Sequence, residues 1–317
     1  MKIPQSTKDR LLNSEILYIR YNAALLFGGK ADPSLLEQDD FVRENLAAVR
    51  TWNDTPIERH DKSDLNLHRL ALLADLGVTK DFPGMDEVIA KILTHVSPDG
   101  ILLVLIKIPT VFGGSGEASY DWVMTNFPTV LYSLLKMGVR NSVTAKALER
   151  LASLVDTDGY RCVGSIPKFK GPGSKTSICP YANLIAAKAM SEDPDAMKSP
   201  AAKLALDSVL RHWDEQGQKK YFLFGVGTDY KKLKFPFVWY NILHTLDTAS
   251  RYPEYRGDKR VKEMAELVMS KADGEMQFKP ESVYMAYKGR DFADKKQASP
   301  TLTLFTLRIL MRLGMAE

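Results

Sequence analysis

Apolar residues recur along the chain with the spacing of helix faces, in two kinds of segment that alternate. In the first kind they follow one stripe, as at positions 143–155, where Lys146 and Glu149 stand between them, and such a helix is half exposed. In the second kind they cover most of the circumference, as at positions 300–311, which predicts packing on most sides. The pattern predicts an all-α chain with an inner and an outer layer of helices.

The two kinds of segment give about eleven helices. We expect six inner helices, at about 7–27, 64–77, 120–138, 180–190, 236–250 and 299–314. We expect five outer helices, at about 35–51, 83–96, 141–156, 199–213 and 258–271. Pro128 lies inside the third inner segment, so that helix is predicted to be kinked or to start late.

A repeat of nearly constant length underlies this alternation. Four helical segments end in an acidic or amide residue followed by Gly100, Gly159, Gly217 or Gly274, at intervals of 59, 58 and 57 residues. Between 18 and 25 irregular residues then precede the next inner helix. Repeated helix pairs stack into an open solenoid or close into a ring. Six inner helices with all long loops on one side favour the ring, as a single domain over residues 1–317.

The repeat and the inner-helix endings Leu-Leu-Ala-Asp-Leu-Gly77, Leu-Leu-Lys-Met-Gly138 and Leu-Met-Arg-Leu-Gly314 resemble the terpenoid cyclase and protein prenyltransferase superfamily over most of the chain. The resemblance implies an α/α toroid whose central cavity opens at the end that carries the long loops. Triterpene cyclases of this superfamily carry an Asp-x-Asp-Asp acid motif, and protein prenyltransferases hold zinc with an Asp-x-Cys pair and a distant His. Neither string occurs here, so the resemblance implies an outlying small member whose chemistry is its own.

Composition limits the class of protein. The 317 residues are 45% hydrophobic and 26% charged, as in ordinary soluble proteins. Two cysteines are too few for a disulfide-stapled secreted fold. The start of the chain lacks the pattern of a signal peptide, and no apolar run approaches the roughly 20 residues of a membrane span, so we expect a cytoplasmic protein without a transmembrane segment. A net charge of +4 gives no argument for nucleic acid.

Basic residues concentrate in the four long loops. Residues 100–120, 159–179, 217–235 and 274–299 carry 0, +4, +4 and +1, a sum of +9, which leaves −5 for the rest of the chain. A basic mouth over an apolar cavity suits an amphiphile with an anionic head, such as a prenyl diphosphate or an acidic lipid. The same lysines are equally well explained as residues that keep loops soluble.

The two cysteines flank the loop between residues 159 and 179, so they could meet in space. Cys179 precedes Pro180, a residue favoured at the first helical position, and backbone amides at a helix start favour a thiolate. We therefore predict Cys179 to be the more acidic and reactive thiol. A zinc site formed by Cys162, Cys179 and His244 is a candidate, although this spacing is no zinc signature. The alternative is two buried, small apolar residues.

Tyr240, His244 and Asp247 are spaced to share one face of the fifth inner helix. Because histidine titrates near neutrality and a carboxylate can orient it, this set is the best candidate for proton transfer. The alternative is a structural group satisfied by hydrogen bonds. His68, with Asp64 four residues before it, is a reserve candidate.

Aromatic and basic side chains near the cavity mouth are the candidate ligand-binding residues: Trp122, Tyr181, Trp239, Lys231 and Lys234. Three functions remain open. The first is an enzyme that acts on an isoprenoid or other hydrophobic substrate. The second is a non-catalytic binding protein of the same shape. The third is a carbohydrate-active (α/α) barrel, which needs two facing carboxylates, with Glu117, Asp229 and Glu281 as the acids near the mouth.

Overall fold

The computed structural model describes residues 1–169, 177–217 and 224–317. These residues are mostly helical, and the chain divides into two compact units. The first unit contains residues 1–43 and 227–317, and the second contains residues 44–226.

The described part of the chain contains fourteen α-helices and one small sheet. The helices are α1 (Gln5–Leu12), α2 (Leu17–Leu26), α3 (Ser34–Gln38), α4 (Asp40–Arg50), α5 (Asn66–Leu76), α6 (Met85–Leu93), α7 (Phe127–Lys136), α8 (Ser142–Ser153), α9 (Pro180–Met190), α10 (Pro194–Met197), α11 (Pro200–Asp214), α12 (Ile242–Ala249), α13 (Lys259–Met269) and α14 (Pro300–Arg312). The strands are β1 (Val104–Lys107) and β2 (Ala118–Asp121), which pair antiparallel.

In the second unit, the predicted alternation of inner and outer helices is present. Helix α7 packs between α5 and α9, and nearly every residue of these three helices is buried. Helix α8 contacts α7, and α11 contacts α9. The side of α8 that is buried is a single stripe containing Ala147, Leu148 and Leu151. Full burial of the apolar helices and one-sided burial of the striped ones follow directly from their sequence patterns.

The first unit shows the same division. Helix α12 contacts α14, α14 contacts α2, and α13 packs against α12. All of α12 is buried, whereas α13 buries one stripe that includes Val261, Met264 and Val268. An aromatic cluster, formed by Phe235, Phe237, Phe292 and Phe305, joins the segment before α12 to α14, with ring centroids 4.6–6.1 Å apart.

Three predicted helices have different bounds because capping side chains stop or start them. The segment at 7–27 is two helices, and Asn13 ends the first by bonding back to the Asp9 carbonyl. The segment at 35–51 is also split, because the Asp39 side chain accepts the Val42 N–H at 3.0 Å and starts α4. Helix α12 begins at Ile242, not near 236, because the Asn241 side chain accepts the His244 N–H at 2.9 Å.

Two loop predictions have different outcomes. Helix α7 starts late, at Phe127, as Pro128 indicated. The loop after Gly100, in contrast, is not wholly irregular, since it contains the β1–β2 pair. Gly113 is required between the strands, because its φ is +86° and a Cβ there would lie 1.8 Å from the Lys168 carbonyl oxygen.

None of the helices in the described ranges combines the length and the apolar content that crossing a bilayer requires.

Candidate functional site

The segment that leads into α12 brings a lysine against aromatic side chains. The Nζ atom of Lys234 lies 3.5 Å from the centroid of the Tyr284 ring, which is a cation–π contact. The backbone N–H of Trp239 donates to the Tyr284 hydroxyl oxygen at 3.2 Å. Lys234 and Trp239 are both half-buried, and Tyr284 is buried. We call Lys234, Trp239 and Tyr284 the lysine–aromatic patch.

The charge of Lys234 is poorly compensated. Burial lowers the pKa of its ammonium group, and the nearby charge of Asp229 opposes this only in part. Among the described residues, no carboxylate lies within ion-pair distance of Lys234 Nζ. Its neighbour Lys232 is different, because its Nζ pairs with Asp229 at 2.5 Å. Lys231 lies on the same segment and is half-buried. The patch therefore holds a partly desolvated cation, the kind of group that an anionic ligand would stabilise.

His244 lies next to this patch, in the first turn of α12. Its side chain is buried, and its ring stacks on Phe237 with centroids 5.9 Å apart. Nδ1 lies 3.2 Å from the carbonyl oxygen of Trp239. Because a carbonyl only accepts, we assign the proton to Nδ1, which donates it to Trp239. This contact fixes the orientation of the ring relative to Trp239.

The predicted shared face of Tyr240, His244 and Asp247 is wrong. Tyr240 precedes the cap residue Asn241, so it is not on the helix, and its ring packs against Tyr230 at 5.0 Å.

Asp247 is on the helix and fully buried, where its carboxylate accepts from Arg251 Nη2 at 2.9 Å and from Arg312 Nη1 at 3.0 Å. Burial and the charge of Arg251 lower the pKa of Arg312 to about 10, which the attraction of Asp247 opposes. The contacts of Asp247 are those of a structural ion pair.

The two cysteines at the ends of the 159–179 loop lie next to each other. Cys179 is the N-cap of α9, and its Sγ accepts the Ala182 N–H at 3.4 Å. Cys162 donates a hydrogen bond to the same sulfur, which lowers the pKa of Cys179, with help from the amides of Ala182 and Tyr181 and against the effect of burial. The same hydrogen bond, together with burial, raises the pKa of Cys162. Both directions agree with the expectation that Cys179 is the more acidic thiol, which stays a prediction.

The zinc hypothesis gains no support. Within the described ranges, no three His, Cys, Asp or Glu side chains are grouped so that they could hold a metal ion. Zinc binding by Cys162, Cys179 and His244 stays a prediction.

The remaining candidates have core positions. Trp122 lies before α7, and its ring meets Phe127 edge-on at 6.3 Å. Tyr181, in the first turn of α9, is 1% exposed and stacks on Phe224 at 6.3 Å. Their roles as ligand-binding residues stay predictions. Four of the loop lysines counted above lie outside the described residues: Lys170, Lys175, Lys219 and Lys220.

The sequence pattern did not predict most of a polar cluster that lies at the starts of α5 and α7. His68 Nε2 bonds to the His60 carbonyl oxygen at 2.8 Å, and His60 Nε2 lies 3.1 Å from Thr125 Oγ1. Burial lowers the pKa of both histidines to about 4. The sequence spacing pairs His68 with Asp64, and only the tertiary structure brings in Thr125, which is 65 residues from His60.

A buried charged group connects three inner helices of the second unit. Lys188 Nζ of α9 pairs with Asp75 Oδ2 of α5 at 3.2 Å and lies 4.5 Å from the ring centroid of Tyr132 on α7. The Tyr132 hydroxyl donates to Asp75 Oδ1. One signal in the sequence could have found it, namely that Asp75 is the one acid of α5 and Lys188 the one base of α9, both in largely apolar stretches.

A groove of about 270 Å³ lies elsewhere in the second unit, between the segment after α4 and the start of α5. Trp52, Asp64 and Asn66 are among its lining residues. None of the predicted ligand-binding residues lines the groove, so it does not coincide with the candidate site.

Comparison with known proteins gives a likeness of fold. No family model and no curated protein matches the chain. A structure of an UGL variant with dGlcA-Glc-Rha-Glc, an unsaturated glucuronyl hydrolase with an α/α barrel, is 14% identical, and the match covers 93% of this chain and 84% of that one with a TM-score of 0.50. Type II terpene cyclase MstE from Scytonema, in complex with geranylgeranyl dihydroxybenzoate, is 12% identical, with coverages of 94% and 87% and a TM-score of 0.47. The apo form of MstE is 13% identical, with the same coverages and a TM-score of 0.43.

Identities this low show the fold alone. The glucuronyl hydrolase and the helix content together confirm the predicted fold class, an all-α fold of the α/α toroid type. Such folds are compatible with the handling of a ligand.

Proposed function

We propose that the protein binds a hydrophobic or amphiphilic molecule with an anionic head, of isoprenoid type, and that the lysine–aromatic patch receives the head. The isoprenoid part of this proposal rests on the resemblance of the sequence to the terpenoid cyclase and prenyltransferase superfamily. The part that concerns charge rests on Lys234.

The observation that carries the proposal is the half-buried Lys234 ammonium group, which has an aromatic ring but, among the described residues, no carboxylate beside it. Burying a charge costs free energy unless an opposite charge or hydrogen bonds replace the lost water. A diphosphate or carboxylate head would supply both. The neighbouring Lys231 adds a second positive charge on the same segment.

The apolar part of the ligand has a matching surface. Trp239 is half-buried beside the lysine, and Phe237 of the aromatic cluster lies one residue beyond Val238. His244 lies under this surface, with its proton directed to the Trp239 carbonyl. Aromatic faces beside cations are suited to an amphiphile, because they take up the apolar chain while the lysines hold the head.

If the protein turns its ligand over, His244 is the proton-transferring group that we favour, with Tyr240 as its neighbour before the helix. Asp247 is less suited, because its carboxylate is engaged by two guanidinium groups. Cys179 remains a candidate nucleophile, since its pKa is lowered.

The glucuronyl hydrolase, with its bound dGlcA-Glc-Rha-Glc, makes carbohydrate the competing ligand class. Glycoside hydrolysis needs two facing carboxylates that are available to the substrate. Two of the acids near the mouth are already engaged, since Asp229 pairs with Lys232 at 2.5 Å and Glu281 pairs with Lys271 at 2.5 Å. These contacts favour an anionic amphiphile over a carbohydrate as the ligand.

The proposal is tested by titrating the protein with a fluorescent farnesyl diphosphate analogue. We expect Lys234→Gln to weaken binding about tenfold or more, because a hydrogen bond to a charged group contributes about 1.5–3 kcal/mol. Lys232→Gln is the matched control, since that lysine is two residues away and already paired with Asp229. We expect it to change the affinity little, and we expect added salt to weaken binding to the unaltered protein.

The same titration has a defined pH dependence. The protonated form of Lys234 binds the anion, so affinity falls as pH rises through its pKa. Because burial lowers that pKa below the usual value, the fall should begin at a lower pH than an exposed lysine would give. Lys234→Gln should remove this fall of the affinity with rising pH. Equal losses in the Lys234 and Lys232 variants, or binding indifferent to salt and pH, would contradict the proposal.

A further inference from the structure

We propose that Cys162 and Cys179 form a reversible dithiol–disulfide pair that a peroxide oxidises, which makes this corner of the second unit a site of redox modification. The inference is independent of the proposed ligand. It rests on the backbone register that holds the two cysteines together and on the different surroundings of their sulfur atoms.

A short antiparallel contact sets the register. Arg161 pairs with Ile178 in an isolated antiparallel bridge, and the Cys179 N–H donates to the Tyr160 carbonyl at 3.0 Å. Cys179 therefore lies opposite Tyr160, and Cys162 is two positions from Tyr160 on the same face. Diagonal neighbours on one face are within reach of each other. Their sulfur atoms are in hydrogen-bond contact.

The register is anchored on both sides by contacts that do not depend on the thiols. The Asn183 side chain accepts the Tyr160 N–H at 2.9 Å and donates to the carbonyls of Tyr160 at 3.0 Å and Cys179 at 2.9 Å. Asn183 is completely buried. The approach of the cysteines is thus built into the packing of α9 against the segment that carries Cys162.

The two sulfur atoms have complementary roles. Cys179 is buried at the start of α9, where the hydrogen of Cys162 and the Ala182 N–H point at its sulfur. These donors stabilise a thiolate, the form that attacks an oxidant. Cys162 is partly exposed and keeps its proton. One cysteine is therefore suited to react first, and the other to resolve the product.

The chemistry balances with hydrogen peroxide as the oxidant. The Cys179 thiolate attacks one peroxide oxygen, the O–O bond breaks, and the departing hydroxide takes up a proton to leave as water, with a sulfenic acid on Cys179. The Cys162 sulfur then attacks the Cys179 sulfur, the S–S bond forms, the S–O bond breaks, and hydroxide leaves as water with the Cys162 proton. In sum, two thiols and one peroxide give one disulfide and two waters. A thiol reductant reverses the change by exchange.

The experiment uses the full chain, stripped of metal with a chelator and treated with hydrogen peroxide. We expect the intact mass to fall by two hydrogen atoms, a peptide linked between Cys162 and Cys179 in a non-reducing digest, and restoration by dithiothreitol. We also expect the melting temperature of the oxidised form to rise by several degrees, because the bond restricts the unfolded chain.

Two matched variants assign the roles. With dimedone present during oxidation, Cys162→Ser should accumulate the sulfenic acid adduct on Cys179, because the resolving thiol is gone. Cys179→Ser should give little adduct on Cys162, because the Ala182 N–H that stabilises a thiolate is directed at position 179. An adduct on Cys162 in the Cys179→Ser variant, or equal adducts on both cysteines, would overturn the assignment.

The unaltered protein alone also tests the proposal, should a variant fail to fold. Two thiols that both remain alkylatable after peroxide treatment would overturn it. Protection of both thiols that disappears only when a chelator is added would overturn it as well, in favour of a bound metal ion.

Discussion

Asp247 lies at the buried side of α12, with its carboxylate between the guanidinium groups of Arg251 and Arg312. The carboxylate is fully buried, and Arg251 is 7% exposed. Charges buried this deeply persist because they compensate one another, and removing one partner leaves the others without compensation. The group therefore contributes to the stability of the first unit through charge balance.

We expect Asp247→Asn to lower the free energy of unfolding by about 3 kcal/mol or more, because two guanidinium groups would then lose their counter-charge. Urea unfolding followed by circular dichroism measures this as a lower midpoint at unchanged slope. Asp229→Asn is the control, since that carboxylate is 94% exposed, and its loss should leave the midpoint nearly unchanged. Similar losses in the two variants would show that the arginines find other partners.

At the scale of elements, the starts of α5 and α7 are joined by neutral histidines. His68 of α5 is 3% exposed and bonds to the His60 carbonyl oxygen, while the His60 ring contacts Thr125 just before α7. A second proton on His68 would place a charge in this buried contact. The contact between the two helix starts is therefore sensitive to pH.

We expect the second unit to lose stability as pH falls from about 6.5 to about 4. Burial lowers the pKa of His68 from 6.5 to about 4, so in that window the unfolded chain takes up a proton that the folded chain does not. Stability therefore rises with pH through the window, by about 3 kcal/mol for His68 alone. Urea unfolding across this range measures the slope.

The His68→Gln variant keeps a side-chain donor but cannot titrate, so its slope should be shallower. His95→Gln is the control, because His95 is half-buried and stacks on Tyr120. A slope that is the same in all three proteins would contradict this account.

At the scale of the whole molecule, the repeat predicts one closed domain over residues 1–317. The structure divides the chain into two compact units, and a single closed domain stays a prediction. Small-angle scattering tests it, since a compact chain of this length should have a radius of gyration near about 20 Å. A clearly larger value would indicate an open arrangement of the helices.

The sequence by itself determined the fold class and the approximate places of most helices. Largely apolar segments such as α9 can exist in water only when packed on most sides, and striped segments such as α8 only when half exposed. Local rules also placed Cys179 at a helix start. Proline is favoured at the first helical position, because its fixed φ suits a helix and its missing N–H is not needed there. Pro128 likewise predicted the late start of α7.

Only the tertiary structure decided which polar groups meet. The spacing of Tyr240, His244 and Asp247 predicted a shared face, but the Asn241 cap starts α12 at Ile242, so Tyr240 lies before the helix. The partner of Asp247 on α14, Arg312, is 65 residues away, and that of Asp75 is 113 residues away. The hydrophobic periodicity indicates how deeply a residue is buried, because burial depends on the apolar pattern of the residue's own helix. It does not report the residue's partner, because partners come from other helices whose rotation and register are set by packing.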